Sequence, residues 1–161
     1  MYVGSLSKTV APGLRIGWLV GPESVIERLA DSKQQMDFGI NVITQQLVYS
    51  YFSSNLWQIQ IDRLRLALAR RQQKMIRALE KYGNDQIEWT VPDGSYHVWC
   101  RLKTPVREAD LLEKGINEGV LFVPGSVYGA DKGYIRLTHA WEDESKIEEG
   151  VFRLCNVLKT L

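Results

Sequence analysis

Cysteine and histidine are scarce in this chain, and neither forms a disulfide or metal-binding pattern. The 161 residues contain two cysteines, Cys100 and Cys155, with no Cys-x-x-Cys pair, and two histidines. Two isolated thiols are typical of a reduced, cytoplasmic protein rather than of a disulfide-stabilised secreted one. His97 and His139 are far apart in sequence and lack an accompanying acidic ligand pattern, so we predict no metal site.

The chain also lacks an excess of charge of either sign and a long apolar run. Its formal net charge is +1, so no nucleic-acid-binding surface is indicated within it. The longest stretch without a charged residue, 38–61, is rich in Gln, Asn, Ser and Thr. We therefore predict neither a transmembrane helix nor, without a charged and then apolar leader pattern, a signal peptide. A content of 45% apolar and 24% charged residues is ordinary for a globular domain.

What is present is a mixture of strand and helix patterns, which predicts an α/β fold. Apolar residues recur at helical spacing from about 56 to Gly83, and about 28 helical residues span roughly 42 Å. A helix of that length suits a connection between two domains. The other predicted strands are 2–5, 15–20, 88–91, 96–102, 120–123 and 134–138, and the other predicted helices are 23–37, 43–53, 108–118 and 142–161.

The most informative segment runs from Gly4 to Gly17, with the spacing S-x-S-K-x-x-x-P-G-x-R-x-G. Hydroxyl groups and a guanidinium are good donors to phosphate, and a lysine amine can attack a carbonyl group. The Pro-Gly pair between Lys8 and Arg15 bends the chain, so that these two side chains can converge. Without this spacing, a lysine in a serine-rich turn would be an ordinary surface residue.

This segment resembles the lysine loop of fold-type I enzymes that use pyridoxal 5′-phosphate, the aminotransferase class. The resemblance implies that Lys8 is catalytic, binding the cofactor aldehyde covalently and then acting as a general base. It further implies that Ser5, Ser7 and Arg15 bind the cofactor phosphate. The segment looks closest to the subgroup that contains aminoadipate and kynurenine aminotransferases.

A second resemblance concerns Arg136, in the segment Gly133–Ala140. Flanked by Ile135 and Leu137 on a predicted strand, Arg136 is expected to point away from these apolar neighbours. The segment resembles the family's late strand, whose arginine binds the α-carboxylate of the substrate. From the pattern alone, a solvent-facing arginine is an equal alternative.

Two further segments resemble turns of the same family. Residues 92–99, Pro-Asp-Gly-Ser-Tyr-His-Val-Trp, resemble a Pro-x-Gly-Gly-x-x-x-Trp hairpin, with Ser95 where a second glycine is more familiar. Residues 122–129 resemble the Pro-Gly loop that lines the substrate side. Both are also explained as structural turns.

The resemblance implies the C-terminal part of the pyridoxal-phosphate-dependent transferase fold. Residues 1–54 would then be a fragment of the large cofactor-binding domain, 55–83 a bridging helix, and 84–161 a small C-terminal α/β domain. We therefore expect the chain to be the back part of a longer, homodimeric, cytoplasmic protein.

The expected function is amino-group transfer between an α-amino acid and a 2-oxo acid. The alternative is the aminotransferase-like effector domain of a GntR-type transcription regulator of the MocR kind, in which DNA binds only through an upstream domain. A third possibility is a folded structural domain without activity. In each case we expect the isolated 161-residue chain to be inactive.

Overall fold

Six strands and five α-helices follow one another in the computed structural model, which describes residues 1–161. The chain divides into two units, Met1–Leu64 and Arg65–Leu161, and the boundary falls inside the longest helix. The elements are β1 (Tyr2–Ser5), β2 (Gly17–Val20), α1 (Glu23–Met36), α2 (Val42–Phe52), α3 (Leu56–Tyr82), β3 (Ile87–Trp89), β4 (His97–Leu102), α4 (Glu108–Asn117), β5 (Val123–Pro124), β6 (Tyr134–Thr138) and α5 (Ile147–Lys159).

The first unit contains an antiparallel hairpin of β1 and β2, in which Ser5 lies opposite Gly17. A Cβ atom at Gly4 would overlap the Trp18 ring, so a larger residue here would displace that ring. Only Leu6 of this unit is a buried apolar residue, with 3% of its surface exposed. With so little apolar area removed from water, we infer that this unit is less stable than the second.

The second unit is built on a four-stranded antiparallel sheet in the order β3-β4-β6-β5. One face of the sheet is covered by the C-terminal half of α3 together with α4 and α5. The buried residues form one cluster, drawn largely from these elements: Met75, Ile76, Ala78, Leu79, Ile87, Val98, Cys100, Leu102, Leu111, Phe122, Ile135, Leu137, Ile147, Val151, Leu154, Cys155 and Val157. The opposite sheet face carries the side chains that alternate with this core.

Most predicted elements agree with the structure, and the start of β2 differs for a local reason. The sequence predicts a strand from Arg15, whereas β2 begins at Gly17. Arg15 instead ends a 3₁₀ turn, Pro12–Leu14, in the left-handed conformation with φ 52° and ψ 34°. A residue in that conformation cannot continue a strand.

Two C-terminal elements are also shorter than predicted. Residues 120–122 are not a strand, because the Val120 N–H donates to the Gly115 carbonyl at 2.7 Å and the chain leaves α4 along that bond. Before α5, the Asp143 carboxylate accepts from the Ser145 N–H at 2.8 Å and caps a short 3₁₀ turn. The α-helix therefore begins at Ile147 rather than at residue 142.

None of the helices combines the length and apolar composition needed to cross a bilayer.

Candidate functional site

The loop between β1 and β2 holds Lys8 in a tight turn. The Leu6 N–H donates to the Ile16 carbonyl at 3.0 Å, which extends the strand pairing beyond Ser5. The Leu6 carbonyl in turn accepts from the Val10 N–H at 2.9 Å, so the residues between them form one turn. Because the Leu6 side chain is buried, it anchors the turn that carries Lys8.

The predicted phosphate ligands lie on the same loop. The Ser5 hydroxyl accepts from the Ser7 N–H at 3.2 Å, and the Arg15 guanidinium donates to the Pro12 carbonyl at 3.3 Å. Left-handed backbone at a non-glycine residue such as Arg15 costs on the order of 1–3 kcal/mol and is enriched at functional sites. The structure therefore places Ser5, the last residue of β1, and Ser7, Lys8 and Arg15 of the following loop within one hairpin.

This set of donors fits a phosphate group. Ser5, Lys8 and Arg15 are exposed and Ser7 is half-buried, so an anion can reach them. Two hydroxyls that can donate, together with one guanidinium, are groups that can form charge-assisted hydrogen bonds with several phosphate oxygens. Gly13, near the arginine, has open space where a side chain would be, so the loop is not crowded there.

Arg136 lies in the second unit, on the sheet face opposite the core. Its neighbours Ile135 and Leu137 are buried, and Arg136 alternates with them as the strand pattern predicts. The guanidinium carbon lies 4.6 Å from the centre of the Tyr128 ring. The Nε atom is buried and has no hydrogen-bond partner. A buried, unpaired donor on a charged group indicates that an acceptor belongs beside it.

The hairpin before β4 contains a second residue with unusual backbone. Ser95, which stands where the family pattern has glycine, has φ 139°. That region is nearly exclusive to glycine, so the backbone here keeps the conformation that a glycine would adopt. The Ser95 hydroxyl accepts from the His97 N–H at 3.1 Å, which offsets part of the strain.

Sequence reasoning missed three aromatic residues that surround Arg136: Trp99, Tyr128 and Tyr134. Two of them lie in segments that resemble turns of the family, since Trp99 ends the segment 92–99 and Tyr128 lies in the segment 122–129. Only the structure shows that both lie beside Arg136, Trp99 through the strand register and Tyr128 through the contact of its ring with the guanidinium.

The thiols and the metal-ligating residue types form no second site. Cys100 and Cys155 are free and buried, and burial, followed by the nearby Cys155 thiol, raises the pKa of Cys100 to about 12. A thiol with so high a pKa is not a nucleophile at neutral pH. No group of three or more His, Cys, Asp or Glu side chains is arranged to hold a metal ion.

His139 is the one buried polar residue of the chain, with 1% of its surface exposed. Neither ring nitrogen has a hydrogen-bond partner. Burial first, and then the charges of His97 and Arg71, lowers the pKa of His139 to about 4. Arg71 is fixed nearby, since its guanidinium donates to the carbonyls of His139 at 3.4 Å and of Glu142 at 2.6 Å.

We expect His139 to make the second unit sensitive to acid. Unfolded histidine binds a proton below about pH 6.5, whereas folded His139 does so only near 4. The free energy of unfolding is therefore highest above about pH 6.5 and falls as the pH drops towards 4, by up to about 3 kcal/mol. Urea unfolding at a series of pH values measures this slope.

His139→Leu is the matched variant for that experiment. Leucine is of similar size, and no hydrogen bond is lost, because both ring nitrogens are unpaired. The variant is expected to keep its stability at pH 7 and to lose this part of the acid dependence. Identical slopes for the two proteins would show that His139 does not cause the effect.

The family model for aminotransferase class I and II matches residues 1–154. Among curated proteins, the chain is 38% identical over 162 aligned residues to an uncharacterized HTH-type transcriptional regulator, YdfD, of Bacillus subtilis (strain 168). That alignment covers 100% of this chain and 34% of the regulator, so the chain spans about a third of the length of this relative.

Solved aminotransferase structures superpose closely. The kynurenine aminotransferase of Pyrococcus horikoshii is 33% identical, with a TM-score of 0.93 over 99% of this chain and 40% of that chain. LysN, the α-aminoadipate aminotransferase of Thermus thermophilus, is 30% identical, with a TM-score of 0.90 over 99% of this chain and 41% of that chain. The LysN structure contains N-(5′-phosphopyridoxyl)-L-leucine.

The fold is thus the mixed α/β fold of fold-type I aminotransferases. The residues of this chain correspond to about 40% of such an aminotransferase chain. The chain belongs to the aminotransferase class I and II family.

Proposed function

We propose that this chain binds pyridoxal 5′-phosphate through the loop between β1 and β2. The observation that carries the proposal is the presence of two serine hydroxyls, the Lys8 amine and the Arg15 guanidinium on one hairpin loop. In this arrangement Ser5, Ser7 and Arg15 hold the phosphate, and Lys8 binds the cofactor aldehyde.

The same lysine has a second role in the proposed chemistry. The bound cofactor supplies an electron sink that weakens the Cα–H bond of an amino acid. The Lys8 Nζ atom would also act as a general base, accepting the proton from Cα of the amino acid and returning it to another position. One side chain would then serve both attachment and proton transfer.

Arg136 is proposed to bind the α-carboxylate of the amino acid. Its buried Nε atom lacks an acceptor, and a carboxylate can accept from Nε and a terminal guanidinium nitrogen in parallel. Two parallel hydrogen bonds fix the orientation of the ligand as well as its position. The orientation of the Cα–H bond is what an amino-group transfer reaction requires.

We propose first that a longer protein containing this chain transfers amino groups between α-amino acids and 2-oxo acids. Support comes from the similarity to the kynurenine aminotransferase of Pyrococcus horikoshii. In such a protein, residues 1–54 would belong to a large cofactor-binding domain, 55–83 would be the connecting helix and 84–161 the small domain. We further propose that the longer protein is cytoplasmic and homodimeric.

The second candidate is the ligand-binding domain of a transcription regulator. The observation that favours it is the 38% identity to YdfD, an HTH-type regulator, over the whole of this chain. Lys8 and Arg136 would then bind cofactor and amino acid without a need for turnover, and DNA would bind through a separate helix-turn-helix domain. A basic helix-turn-helix domain in the longer protein would favour this candidate over the enzyme.

The cofactor proposal predicts selective modification of Lys8. The chain is incubated with pyridoxal 5′-phosphate, reduced with borohydride, digested and mapped by mass spectrometry. The adduct is expected mainly on Lys8, because the phosphate ligands raise the local concentration of the aldehyde there. Pyridoxal, which lacks the phosphate, is the control and is expected to show no preference for this lysine.

Two variants sharpen the same experiment. Arg15→Gln is expected to reduce the preference for Lys8, whereas Arg107→Gln, a matched exposed arginine of the second unit, leaves it unchanged. Equal labelling of Lys8 and the other lysines by pyridoxal 5′-phosphate would contradict the proposed cofactor site.

A further inference from the structure

Three aromatic rings form a continuous surface next to Arg136, named here the aromatic wall (Trp99, Tyr128 and Tyr134). The Trp99 and Tyr134 rings stack with centroids 5.7 Å apart and an angle of 16° between their planes. Tyr128 meets Trp99 edge to face at 6.1 Å and 73°. Since Tyr128 also contacts the guanidinium of Arg136, the wall and the arginine are one connected cluster.

The strand register places the wall and Arg136 on the same side of the sheet. Trp99 on β4 lies directly opposite Arg136 on β6, and its neighbours Val98 and Cys100 point into the core. Tyr134 is two residues from Arg136 on the same strand, so it shares that face. The sheet alone therefore positions three members of the cluster: Trp99, Tyr134 and Arg136.

The fourth member, Tyr128, is brought over the sheet by a close backbone approach at Gly125. A Cβ atom at Gly125 would lie 2.5 Å from the Cβ and 2.8 Å from the carbonyl oxygen of Tyr134. Only glycine lets the turn Gly125–Tyr128 contact β6 so closely. The turn then positions the Tyr128 ring against Arg136.

The wall is partly exposed, although large aromatic side chains gain much from burial. Trp99 is 36% exposed and Tyr128 is 50% exposed. Beside them, the Nε atom of Arg136 is buried without an acceptor. An apolar surface next to an unpaired cationic donor complements a ligand that carries a flat apolar group close to a carboxylate.

We propose that Arg136 and the aromatic wall form one site that selects carboxylates bearing an aromatic ring. For an amino acid or 2-oxo acid, this corresponds to an aromatic side chain. The proposal rests on the proposed function, because it takes Arg136 as the carboxylate ligand. The other cation on this face, Arg101, lies opposite Tyr134, two residues along the strands from the Trp99–Arg136 pair.

The test uses the full ¹⁵N-labelled chain and the indole N–H signals of its tryptophans, with that of Trp99 assigned from a Trp99→Phe variant. Three probes are titrated: 3-phenylpropionate, propionate and glutarate. We expect 3-phenylpropionate to shift the Trp99 signal and to saturate at a concentration at least about tenfold lower than propionate, because only its ring contacts the wall. Glutarate is expected to bind no better than propionate.

Variants separate the two parts of the site. Arg136→Gln is expected to remove binding of all three probes, and Tyr128→Leu to remove the advantage of 3-phenylpropionate over propionate. Trp141→Phe is the control, since Trp141 is 86% exposed and lies outside the wall. Circular dichroism verifies that each variant keeps the fold.

Each contrary outcome has a distinct meaning. Equal affinity for 3-phenylpropionate and propionate, or tighter binding of glutarate, would overturn the proposed selectivity, and the carboxylate role of Arg136 would stand only if Arg136→Gln removes this binding. Binding that leaves the Trp99 signal unchanged would overturn both, because Trp99 lies directly opposite Arg136. Binding of no carboxylate at all would overturn both the selectivity and the role proposed for Arg136. The cofactor site at Lys8 is tested independently by the labelling experiment.

Discussion

Replacement of Leu79 by alanine is expected to destabilise the second unit by about 2–5 kcal/mol. Leu79 lies on α3 with none of its surface exposed, inside the cluster that joins this helix to the sheet and to α5. Alanine removes apolar contacts and leaves a cavity that the surrounding side chains fill only in part. Since small domains are stable by only about 5–15 kcal/mol, a loss of this size is a large fraction of the total.

The change is measured by urea unfolding, followed through hydrogen exchange of the β4 and β6 amides so that the second unit is observed by itself. Leu66→Ala is the matched control on the same helix, because Leu66 is 66% exposed, and its effect is expected to stay within about 0.5 kcal/mol. Leu79→Met conserves volume and is expected to cost less than about 1.5 kcal/mol. Similar losses for Leu79→Ala and Leu66→Ala would be incompatible with the described core.

The elements that were predictable from the sequence are those whose side-chain period is uninterrupted. The long apolar period of α3 and the alternation on β6 predict both elements closely, since one face of β6 and of the C-terminal part of α3 is buried. The strand predicted at 120–123 was wrong in its bounds, because Val120 and Phe122 are apolar without belonging to a strand. Val120 follows the end of α4 with a backbone bond to Gly115, and Phe122 fills the core. Periodicity alone cannot separate such residues from a strand.

The residues of the candidate site also differ in whether the sequence alone could group them. Ser5, Ser7, Lys8 and Arg15 lie within a few positions of one another, so a local motif is sufficient to group them. The aromatic wall is assembled by strand pairing and by the turn at Gly125, which join Trp99 to the separate segment 128–134. No local pattern encodes that juxtaposition, which is why the residues around Arg136 emerged only from the structure.

With pyridoxal 5′-phosphate added, the 161-residue chain is expected to transaminate amino acids no faster than the free cofactor does. The reason is the access of water to the loop that bears Lys8, since Ser5, Lys8 and Arg15 are all exposed. Two charges about 4 Å apart interact by about 1 kcal/mol in water and by about 4 kcal/mol in a typical partly shielded site. Enzymes lower barriers by roughly 8–23 kcal/mol, mostly through preorganised groups in sites that exclude water. Binding of the cofactor at an exposed loop therefore does not by itself provide catalysis.

The measurement is the formation of glutamate from 2-oxoglutarate, with phenylalanine and alanine as amino donors and free cofactor as the blank. The kynurenine aminotransferase of Pyrococcus horikoshii, assayed identically with kynurenine, is the positive control. Lys8→Ala shows whether any rate above the blank belongs to the loop, because this variant lacks the amine proposed to bind the aldehyde. A rate in the wild-type chain that exceeds the blank and disappears in Lys8→Ala would contradict the prediction. Such a rate would mean that the hairpin loop, with Arg15 and the two serines, excludes enough water to be a catalytic site on its own.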